Sequence, residues 1–259
     1  MSRQLPPLDM HAHVETSVPQ RDLEGLGAVV FAATRSQKEF TQTLDRHDQI
    51  VVWGLGCHPG VPEAHVAFDA DAFREQLAAT PFVSEIGLDS RSKVPAAEQH
   101  QNFRSILELC KGAPRILSVH STGRTQQVLD LVEDVHVDGV VLHWWLGTEQ
   151  ETRRAIERGC YFSVNYAMLG KPQLNAIPHD RLLLETDHPS GDRRSTRPRR
   201  PGHTRVVEEE IARLSGKDVA FVRDLQWQNL VRLVDQLRLK QLFPTAIQRM
   251  LTYGGRDKQ

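Results

Sequence analysis

Short apolar runs recur along the chain and alternate with longer stretches of amphipathic spacing. The runs are rich in Val, Ile, Leu and Phe and lack a two-residue alternation. This is typical of strands that are buried on both faces of a parallel sheet. The pattern predicts strands over residues 8–13, 27–33, 50–56, 82–86, 115–120, 138–143, 160–164 and 181–186.

Segments whose apolar residues have helical spacing lie between several of these runs. For example, Phe103, Ile106 and Cys110 fall on one stripe of a predicted helix. Eight strands with intervening helices favour an α/β fold, a single (β/α)8 TIM-type barrel with extra C-terminal helices. A doubly wound open sheet is the alternative, but it would normally begin with a Gly-rich phosphate turn, which is missing here. The predicted helices cover residues 69–79, 99–111, 125–133, 149–158, 204–215, 218–240 and 244–251.

Length and composition are compatible with this fold and exclude other classes of protein. A barrel of this type commonly occupies about 250 residues, so we expect one domain over 1–259, with a helical extension over about 216–259.

The net charge of −1 gives no general attraction to nucleic acid or membrane. No apolar stretch approaches the ~18 residues of a membrane helix, and the segment Met1–Pro7 lacks the apolar core expected of a signal peptide. The three cysteines are far apart, which argues against a disulfide framework. We therefore expect a cytoplasmic protein.

Side chains that bind metals stand at the carboxyl ends of several predicted strands. In a parallel barrel these ends meet on one face, where such folds keep their active sites. Imidazole and carboxylate groups gathered in this way predict a metal site and a metallohydrolase. The candidate ligands are His11, His13, Glu85, His120, His143 and Asp187.

The sharpest local signal is Asp9-x-His11-x-His13. Side chains two residues apart in a strand lie on one face, so both imidazoles could bind the same ion. We expect Asp9, deeper on that face, to accept the ring N–H of a ligand histidine. In an isolated His-x-His, the two histidines would more often be polar residues at the start of a loop. That interpretation is weaker here because other ligand-type residues stand at equivalent strand ends.

The two acidic candidates carry the predicted chemistry. Glu85 could bridge two ions about 3.5–4 Å apart, whereas the alternative is a salt-bridged loop glutamate. Asp187 could bind the first ion and also accept a proton from water. Glu185 is expected to point in the same direction as Asp187, from a deeper position in the barrel. Asp89 is a candidate cap of the turn that follows it, and His188 is expected to face away from the site.

Among the remaining histidines, His58 also follows a predicted strand and is expected to line the substrate pocket. His120 and His143 could supply the second ion, although either alone would more often be a core histidine. Surface positions are the default for His47, His65, His100, His136 and His179.

In order and spacing, the residues resemble the TatD family of metal-dependent deoxyribonucleases from Asp9 to about Asn229. The resemblance rests on Asp9-x-His11-x-His13, Gly56-Cys57-His58-Pro59, Glu85-Ile86-Gly87-Leu88-Asp89, Gln99-x-x-x-Phe103, the His120 strand, Gly139-Val140-Val141-Leu142-His143, Leu183-Leu184-Glu185-Thr186-Asp187-x-Pro189 and Asn229-Leu230.

The resemblance implies two divalent metal ions, Mg, Mn or Zn, and cleavage of phosphodiester bonds, often by trimming DNA from a 3′ end. It implies that His11, His13, Glu85 and Asp187 bind one ion and that Glu85, His120 and His143 bind the other. Asp187 and Glu85 are then the catalytic residues, with Asp187 as general base.

The loops that would face a substrate depart from the family. The family usually has an arginine two places after the His120 ligand, whereas Ser121-Thr122-Gly123 precede Arg124 here. After His143 this chain has Trp144-Trp145-Leu146-Gly147 in place of Cys-Phe-Ser-Gly. Hydrolysis of a small ester, amide or lactone therefore remains an alternative, as does a metal-binding partner subunit of a larger complex.

Residues 191–205 form a basic segment after Asp187, the arginine loop, whose guanidinium groups suit phosphate oxygens. Its arginines are Arg193, Arg194, Arg197, Arg199, Arg200 and Arg205. The alternative for each arginine is a solvated position without a ligand. One of Trp144 and Trp145 should face the barrel axis, where it could stack on a terminal base. We expect contacts with single-stranded DNA ends, and a possible protein partner at the arginine loop or the C-terminal helices. The candidate substrate-binding residues are His58, Arg124, Trp144, Arg193, Arg194 and Arg197.

Overall fold

The computed structural model describes residues 4–195 and 199–255. Eight strands within these residues form a parallel (β/α)8 barrel, which confirms the predicted fold class. Each predicted run corresponds to one strand; seven strands are one to three residues shorter than predicted, and β4 extends one residue further, to Gly87. The strands are β1 (Leu8–Ala12), β2 (Val29–Ala33), β3 (Val51–Gly54), β4 (Phe82–Gly87), β5 (Ile116–His120), β6 (Val140–His143), β7 (Tyr161–Val164) and β8 (Leu182–Leu184).

Backbone hydrogen bonds beyond the named strands close the barrel. The strands form two sheets, β1-β2-β3 and β4-β5-β6-β7-β8. Leu55 N donates to Phe82 O at 3.1 Å, which joins β3 to β4. Asp187 N donates to His11 O at 2.8 Å, which joins the end of β8 to β1. The ring is therefore complete, and the carboxyl ends of all the strands lie on one face.

The predicted helices are all present, with ends that differ by a few residues. The structure adds four helices of five residues each within the described residues, namely Gln20–Glu24, Gln37–Thr41, Pro62–Val66 and Pro172–Ala176. Each buries only one or two side chains, too few to produce a periodic signal in the sequence. The helices are α1 (Gln20–Glu24), α2 (Gln37–Thr41), α3 (Pro62–Val66), α4 (Ala70–Gln76), α5 (Ala96–Gly112), α6 (Thr125–Val135), α7 (Glu149–Glu157), α8 (Pro172–Ala176), α9 (Arg205–Ser215), α10 (Val219–Leu237) and α11 (Thr245–Gly254).

The long helix α10 lies across the amino ends of the strands. Its Trp227 and Leu230 share a buried cluster with Phe31 and Phe82 of the strands. The Asn229 amide donates to His179 O at 2.7 Å and to Leu182 O at 2.8 Å, at the start of β8. This end of the barrel is therefore covered, and the carboxyl end remains available for a site.

Two strands carry an extra residue where the candidate ligands stand. In β1 the register shifts between Asp9 and Ala12, and in β4 it shifts between Val83 and Ile86. An extra residue of this kind bends the strand and turns the neighbouring side chains. The backbone at His11 and Glu85 is thus locally irregular, which a strict two-residue alternation would not predict.

No helix in residues 4–195 or 199–255 combines the length and apolar character needed to cross a lipid bilayer.

Candidate metal centre

Glu85 lies at the centre of a group of imidazole rings at the open end of the barrel. Its Oε1 is 2.6 Å from His120 Nδ1 and 2.9 Å from His143 Nε2. These two histidines end β5 and β6, the next two strands of the sheet. One oxygen of the carboxylate therefore faces one pair of imidazoles.

The other oxygen of Glu85 faces a different set of rings. Oε2 is 3.2 Å from His13 Nε2, 3.6 Å from His11 Nε2 and 3.2 Å from His58 Nε2. Glu85 itself is only 2% exposed, so these contacts lie inside the barrel mouth. Its two oxygens thus divide the surrounding imidazoles into two groups.

A glycine allows this close arrangement. Gly87 has φ +131°, and a Cβ atom there would lie 2.1 Å from His120 O. A side chain at this position would push β4 away from the end of β5. The absence of one lets Glu85 and His120 come within hydrogen-bonding distance.

Asp187 completes the group from the opposite side of the barrel. Its Oδ1 is 3.7 Å from His11 Nε2 and 3.9 Å from His13 Nε2. The residue has φ 43°, in the left-handed region that is uncommon outside glycine, and its N–H donates to His11 O. A strained backbone held in this way is frequent at functional sites. Burial raises the pKa of Asp187 to about 7, opposed by His143 and assisted by the charge of Glu185.

The electrostatics of the group favour a negative Glu85. Burial by itself would raise the pKa of Glu85, but His58, His143 and His120 hold it well below its usual value. Burial would lower the pKa of His143, yet the charge of Glu85 raises it well above its usual value. His11 differs, because burial and the nearby His143 lower its pKa to about 4.

The donor atoms fit a metal ion. His11 Nδ1 lies 2.7 Å from Ser118 Oγ, whereas its Nε2 is buried and has no hydrogen-bond partner among the described residues. An unpaired buried nitrogen that faces two carboxylates is suited to ligation, because the other ring nitrogen already has a partner that fixes the ring. Imidazole and carboxylate ligands together suit Zn²⁺ and Mn²⁺. In the part of the chain that the structure describes, three groups have ligand atoms within 4.8 Å of one another: His11, His13 and Glu85; Glu85, His120 and His143; and His11, His143 and Glu185.

Within residues 4–195 and 199–255, the Asp9 carboxylate forms no hydrogen bond with a histidine ring, contrary to the prediction from strand parity. Its carboxylate accepts hydrogen bonds from Thr186 N at 2.8 Å, Thr186 Oγ1 at 2.7 Å and Gly202 N at 2.7 Å. Because β1 contains an extra residue, the side chains of Asp9 and His11 point in different directions. Asp9 therefore joins β1 to the segments after β8, and burial raises its pKa to about 7.

Glu185 is fully buried, and the structure places its carboxylate behind the ring of His143, a partner that the sequence did not indicate. Its Oε1 is 3.7 Å from His143 Nδ1, and it accepts hydrogen bonds from Trp144 N at 3.1 Å and Asn165 Nδ2 at 2.9 Å. Ser163 Oγ donates to its other oxygen. These donors hold a buried carboxylate in place behind the ring.

A cavity of about 450 Å³ opens above the imidazoles and carboxylates. Trp144 lines it, whereas Trp145 is fully buried and donates from Nε1 to Thr152 Oγ1 at 2.8 Å. One tryptophan therefore faces the site and the other packs beneath the helices, as parity predicts. The lining residues are His13, His58, Glu85, Arg91, His120, Ser121, Thr122, Gly123, Thr125, His143, Trp144, Leu146, Asp187, Ser190 and Arg193.

The predicted arginines divide into three cases. Arg193 lines the cavity, while Arg124 and Arg194 are not among the lining residues. Arg124 is the N-cap residue of α6, so its backbone begins a helix, and Ser121, Thr122 and Gly123 occupy the wall. Arg197 lies outside the described residues.

Sequence reasoning missed several contacts of the site. Asp89 accepts from Arg91 N at 2.7 Å and also lies 3.0 Å from His120 Nε2, so it is more than a turn cap. Ser118 precedes His120 by two residues, and this spacing could have identified it as a neighbour of the site. His65 is buried against Asn102, although a surface position was expected. The expectation was wrong because the short helix α3, which carries His65, was not predicted.

A closed parallel barrel with imidazoles and carboxylates gathered at its carboxyl end is the architecture of a metal-dependent hydrolase. The family model described as TatD related DNase matches residues 8–235. The chain therefore belongs to the TatD-related DNase family of metal-dependent hydrolases.

Relatives from distant organisms are similar along most of the chain. The human protein named deoxyribonuclease TATDN3 is 24% identical over 89% of this chain and 95% of its own length. A Bacillus subtilis protein named uncharacterized metal-dependent hydrolase YabD is 24% identical over 87% of this chain and 97% of its own length. A Cronobacter sakazakii protein named 3′-5′ ssDNA/RNA exonuclease TatD is 29% identical over 58% of this chain and 64% of its own length.

Solved structures share the fold. The TatD homologue YJJV from Escherichia coli has a TM-score of 0.74 at 21% identity and covers 87% of this chain and 96% of its own. A TatD-family hydrolase from Entamoeba histolytica has a TM-score of 0.73 at 15% identity and covers 90% of this chain and 99% of its own.

Proposed function

We propose that this protein is a divalent-metal-dependent phosphodiesterase that cleaves DNA and trims it from a 3′ end. The observation that carries the proposal is the position of Glu85. Its two oxygens face two separate sets of imidazoles, which is the arrangement of a carboxylate that bridges two ions.

In this proposal His11, His13, Glu85 and Asp187 hold one ion, and Glu85, His120 and His143 hold the other. Two bound ions, Mg, Mn or Zn, would activate water and polarise the phosphoryl oxygen. Asp187 accepts the proton of the attacking water, because its carboxylate faces the same space as His11 and His13. Glu185 holds His143 in orientation from behind.

The walls of the cavity support a nucleic-acid substrate. Arg193 provides a guanidinium for a phosphate group, and His58 lies beside the carboxylate floor. Trp144 provides an aromatic face, and stacking of a base on such a ring contributes about 1–3 kcal/mol. The names of the human and Cronobacter relatives refer to the same class of substrate.

The test is an assay of single-stranded DNA labelled at the 3′ or the 5′ end, with Mg²⁺, Mn²⁺ and Zn²⁺ in turn. Cleavage should begin at the 3′ end. Glu85→Gln should lower kcat/KM at least about 100-fold, since it removes a shared ligand. Glu149→Gln, at an exposed position of α7, is the matched control and should retain activity.

Two outcomes would contradict the proposal. Full nuclease activity in Glu85→Gln would exclude a metal-based reaction at this site. Hydrolysis of a chromogenic ester without any cleavage of DNA would favour the small-ester alternative.

A further inference from the structure

The loop between β5 and α6 forms one wall of the cavity. Ser121 directly follows His120, a candidate ligand, and consecutive Cα atoms are about 3.8 Å apart. The wall therefore begins immediately beside the metal centre. The residues of this loop and of the start of α6 that line the cavity are Ser121, Thr122, Gly123 and Thr125.

Helix α6 begins at this wall, and the backbone amides of its first turn are free. Its N-cap residue, Arg124, makes no side-chain cap hydrogen bond. In the part of the chain that the structure describes, the N–H groups of residues 125–127 have no acceptor. Helix α7 differs, because Thr148 and Glu151 form a capping box at its first turn. Free N–H groups at a helix start point out of the helix and, together with the helix dipole, favour an anion.

The side chain of Ser121 gives independent evidence of a ligand at this wall. The residue is only 5% exposed, and the small exposed part lines the cavity. Within residues 4–195 and 199–255, its hydroxyl has no hydrogen-bond partner. A buried hydroxyl without a partner costs free energy, so a group that enters the cavity and accepts its proton would be favoured. We call the Ser121 hydroxyl and the amides of residues 125–127 the α6 cradle.

The charges around the α6 cradle also suit an anion. Arg91 lines the cavity, and its Nη2 lies 3.5 Å from Thr122 Oγ1, on the same wall. The carboxylate of Glu151 is nearby and accepts a hydrogen bond from Thr125 Oγ1 at 2.6 Å, but Glu151 is not among the residues that line the cavity. The Thr125 hydroxyl therefore has a partner, and the donors left for a ligand are those of the cradle.

We propose that the α6 cradle binds the phosphate that lies immediately 5′ of the scissile phosphate in the substrate strand. The inference rests on the proposed function and deepens it. Trimming from a 3′ end releases a nucleotide that ends in a 3′ hydroxyl, so the strand has a neighbouring phosphate only on the 5′ side of the scissile group. Because the cradle begins beside His120, a phosphate next to the scissile one is the group that it can reach.

The first experiment measures release of the 3′-terminal nucleotide from a single-stranded DNA oligonucleotide, with a divalent ion that supports cleavage. An uncharged methylphosphonate replaces either the linkage next to the scissile one or a linkage several positions further toward the 5′ end. In the wild type the near replacement should lower kcat/KM about tenfold, because it removes a charged hydrogen-bond acceptor. The distant replacement should have little effect.

Ser121→Ala should also lower kcat/KM about tenfold on the unmodified strand. On the strand with the near methylphosphonate it should cause little further loss, since both changes remove the same interaction. A general disturbance of the site by the substitution would instead multiply with the effect of the methylphosphonate. Ser215→Ala, at the end of α9, is the control and should change kcat/KM by less than about twofold on either strand.

The second experiment adds a negative charge at the helix start. Gln126 and Gln150 are both exposed, and each is the second residue of its helix, α6 and α7. An acidic side chain at this position favours the helix dipole, so neither Gln126→Glu nor Gln150→Glu should lower Tm. In chelator and at low salt, Gln126→Glu should weaken binding of a labelled single strand about threefold, as measured by fluorescence anisotropy, and Gln150→Glu should not.

The outcomes separate this inference from the proposed function. Normal cleavage of the strand with the near methylphosphonate, or losses from Ser121→Ala and the methylphosphonate that multiply, would overturn the inference and leave the proposed function intact. Equal weakening by Gln126→Glu and Gln150→Glu would overturn it as well, because only the net charge would then matter. A wild-type protein that releases no nucleotide from the unmodified strand would overturn the proposed function, and the inference with it.

Discussion

At the scale of single residues, hydrogen bonds to ring nitrogens decide which donor atoms face the centre. His11 uses Nδ1 for Ser118 and leaves Nε2 toward Glu85 and Asp187. His143 uses Nε2 for Glu85 while Glu185 lies behind its Nδ1. Partners of this kind fix the orientation of an imidazole before any ion binds.

Ser118→Ala should therefore weaken metal binding although Ser118 is no candidate ligand. Among the described residues, its loss leaves His11 Nδ1 with Ser84 Oγ as its remaining partner, at 3.3 Å. We expect the metal affinity to fall by about tenfold or more, as measured by competition with a chelator. Ser215→Ala, at the end of α9, is the control. An unchanged affinity would show that the Ser118 hydroxyl does not fix the ring.

A second residue-scale prediction concerns Asp48, which lies before β3. Partial burial would raise its pKa, but the hydrogen bonds from Arg46 and Trp53 hold it below its usual value. A carboxyl with a lowered folded-state pKa contributes stability above its unfolded pKa, and this contribution is lost as the pH falls through the folded value.

Asp48→Asn should lower the free energy of unfolding by about 1.5–3 kcal/mol at pH 7. The difference from wild type should shrink as the pH falls below about 4, where the unfolded carboxyl becomes protonated, and should be lost once the pH passes the lower pKa of the folded state. Urea unfolding at both pH values measures this, with the exposed neighbour Asp45→Asn as control. A difference that does not depend on pH would contradict the assigned charge of Asp48.

At the scale of elements, the two ends of the barrel have separate tasks. The irregular strands β1 and β4 carry His11 and Glu85 at the open end. Helix α10 covers the other end and contacts the backbone that precedes β8. A change at the covered end should thus affect stability and leave the chemistry of each folded molecule intact.

Asn229→Ala provides the test of this separation. It leaves the carbonyl groups of His179 and Leu182 without the Asn229 donor, and Asn229 is fully buried. We expect unfolding to become easier by about 1–3 kcal/mol, with kcat unchanged for the folded fraction. Gln236→Ala, on the exposed side of α10, is the control. A reduced kcat at full folding would indicate that the two ends are coupled.

At the scale of the whole molecule, closure of the barrel brings together residues that are far apart in the chain. His11 and Asp187 are neighbours only because the end of β8 binds β1. A metal ion held by both ends of the ring would bind the folded state and not the unfolded chain. Its binding energy would then add to the stability of the fold.

Saturation with Zn²⁺ or Mn²⁺ at about 100 times Kd should stabilise the wild type by about 2.7 kcal/mol. For a chain of this size that corresponds to a rise in Tm of about 5–10 °C in a thermal-unfolding scan. A chelator should reverse the rise, and Glu85→Gln should show little of it. An equal rise in Glu85→Gln would mean that the ions bind elsewhere.

The fold and most of the candidate site were predictable from the sequence, since both depend on local patterns. Strands buried on both faces leave continuous apolar runs, and polar residues that end several such runs meet wherever parallel strands form a barrel. The short helices and the contacts of Asp9 were not predictable. The former bury too few side chains, and the latter depend on an extra residue in β1 that has no local signature.

The sequence by itself thus determined the eight-stranded barrel, the presence of imidazoles and carboxylates at its carboxyl end, and the central place of Glu85 among them. Only the tertiary structure decided which oxygen of Glu85 faces which ring, and that Arg91 rather than Arg124 lines the cavity. The physical reason is that periodicity specifies the face of a strand on which a residue lies. The direction of a side chain in a loop or at a bulge depends instead on backbone hydrogen bonds to segments distant in the chain.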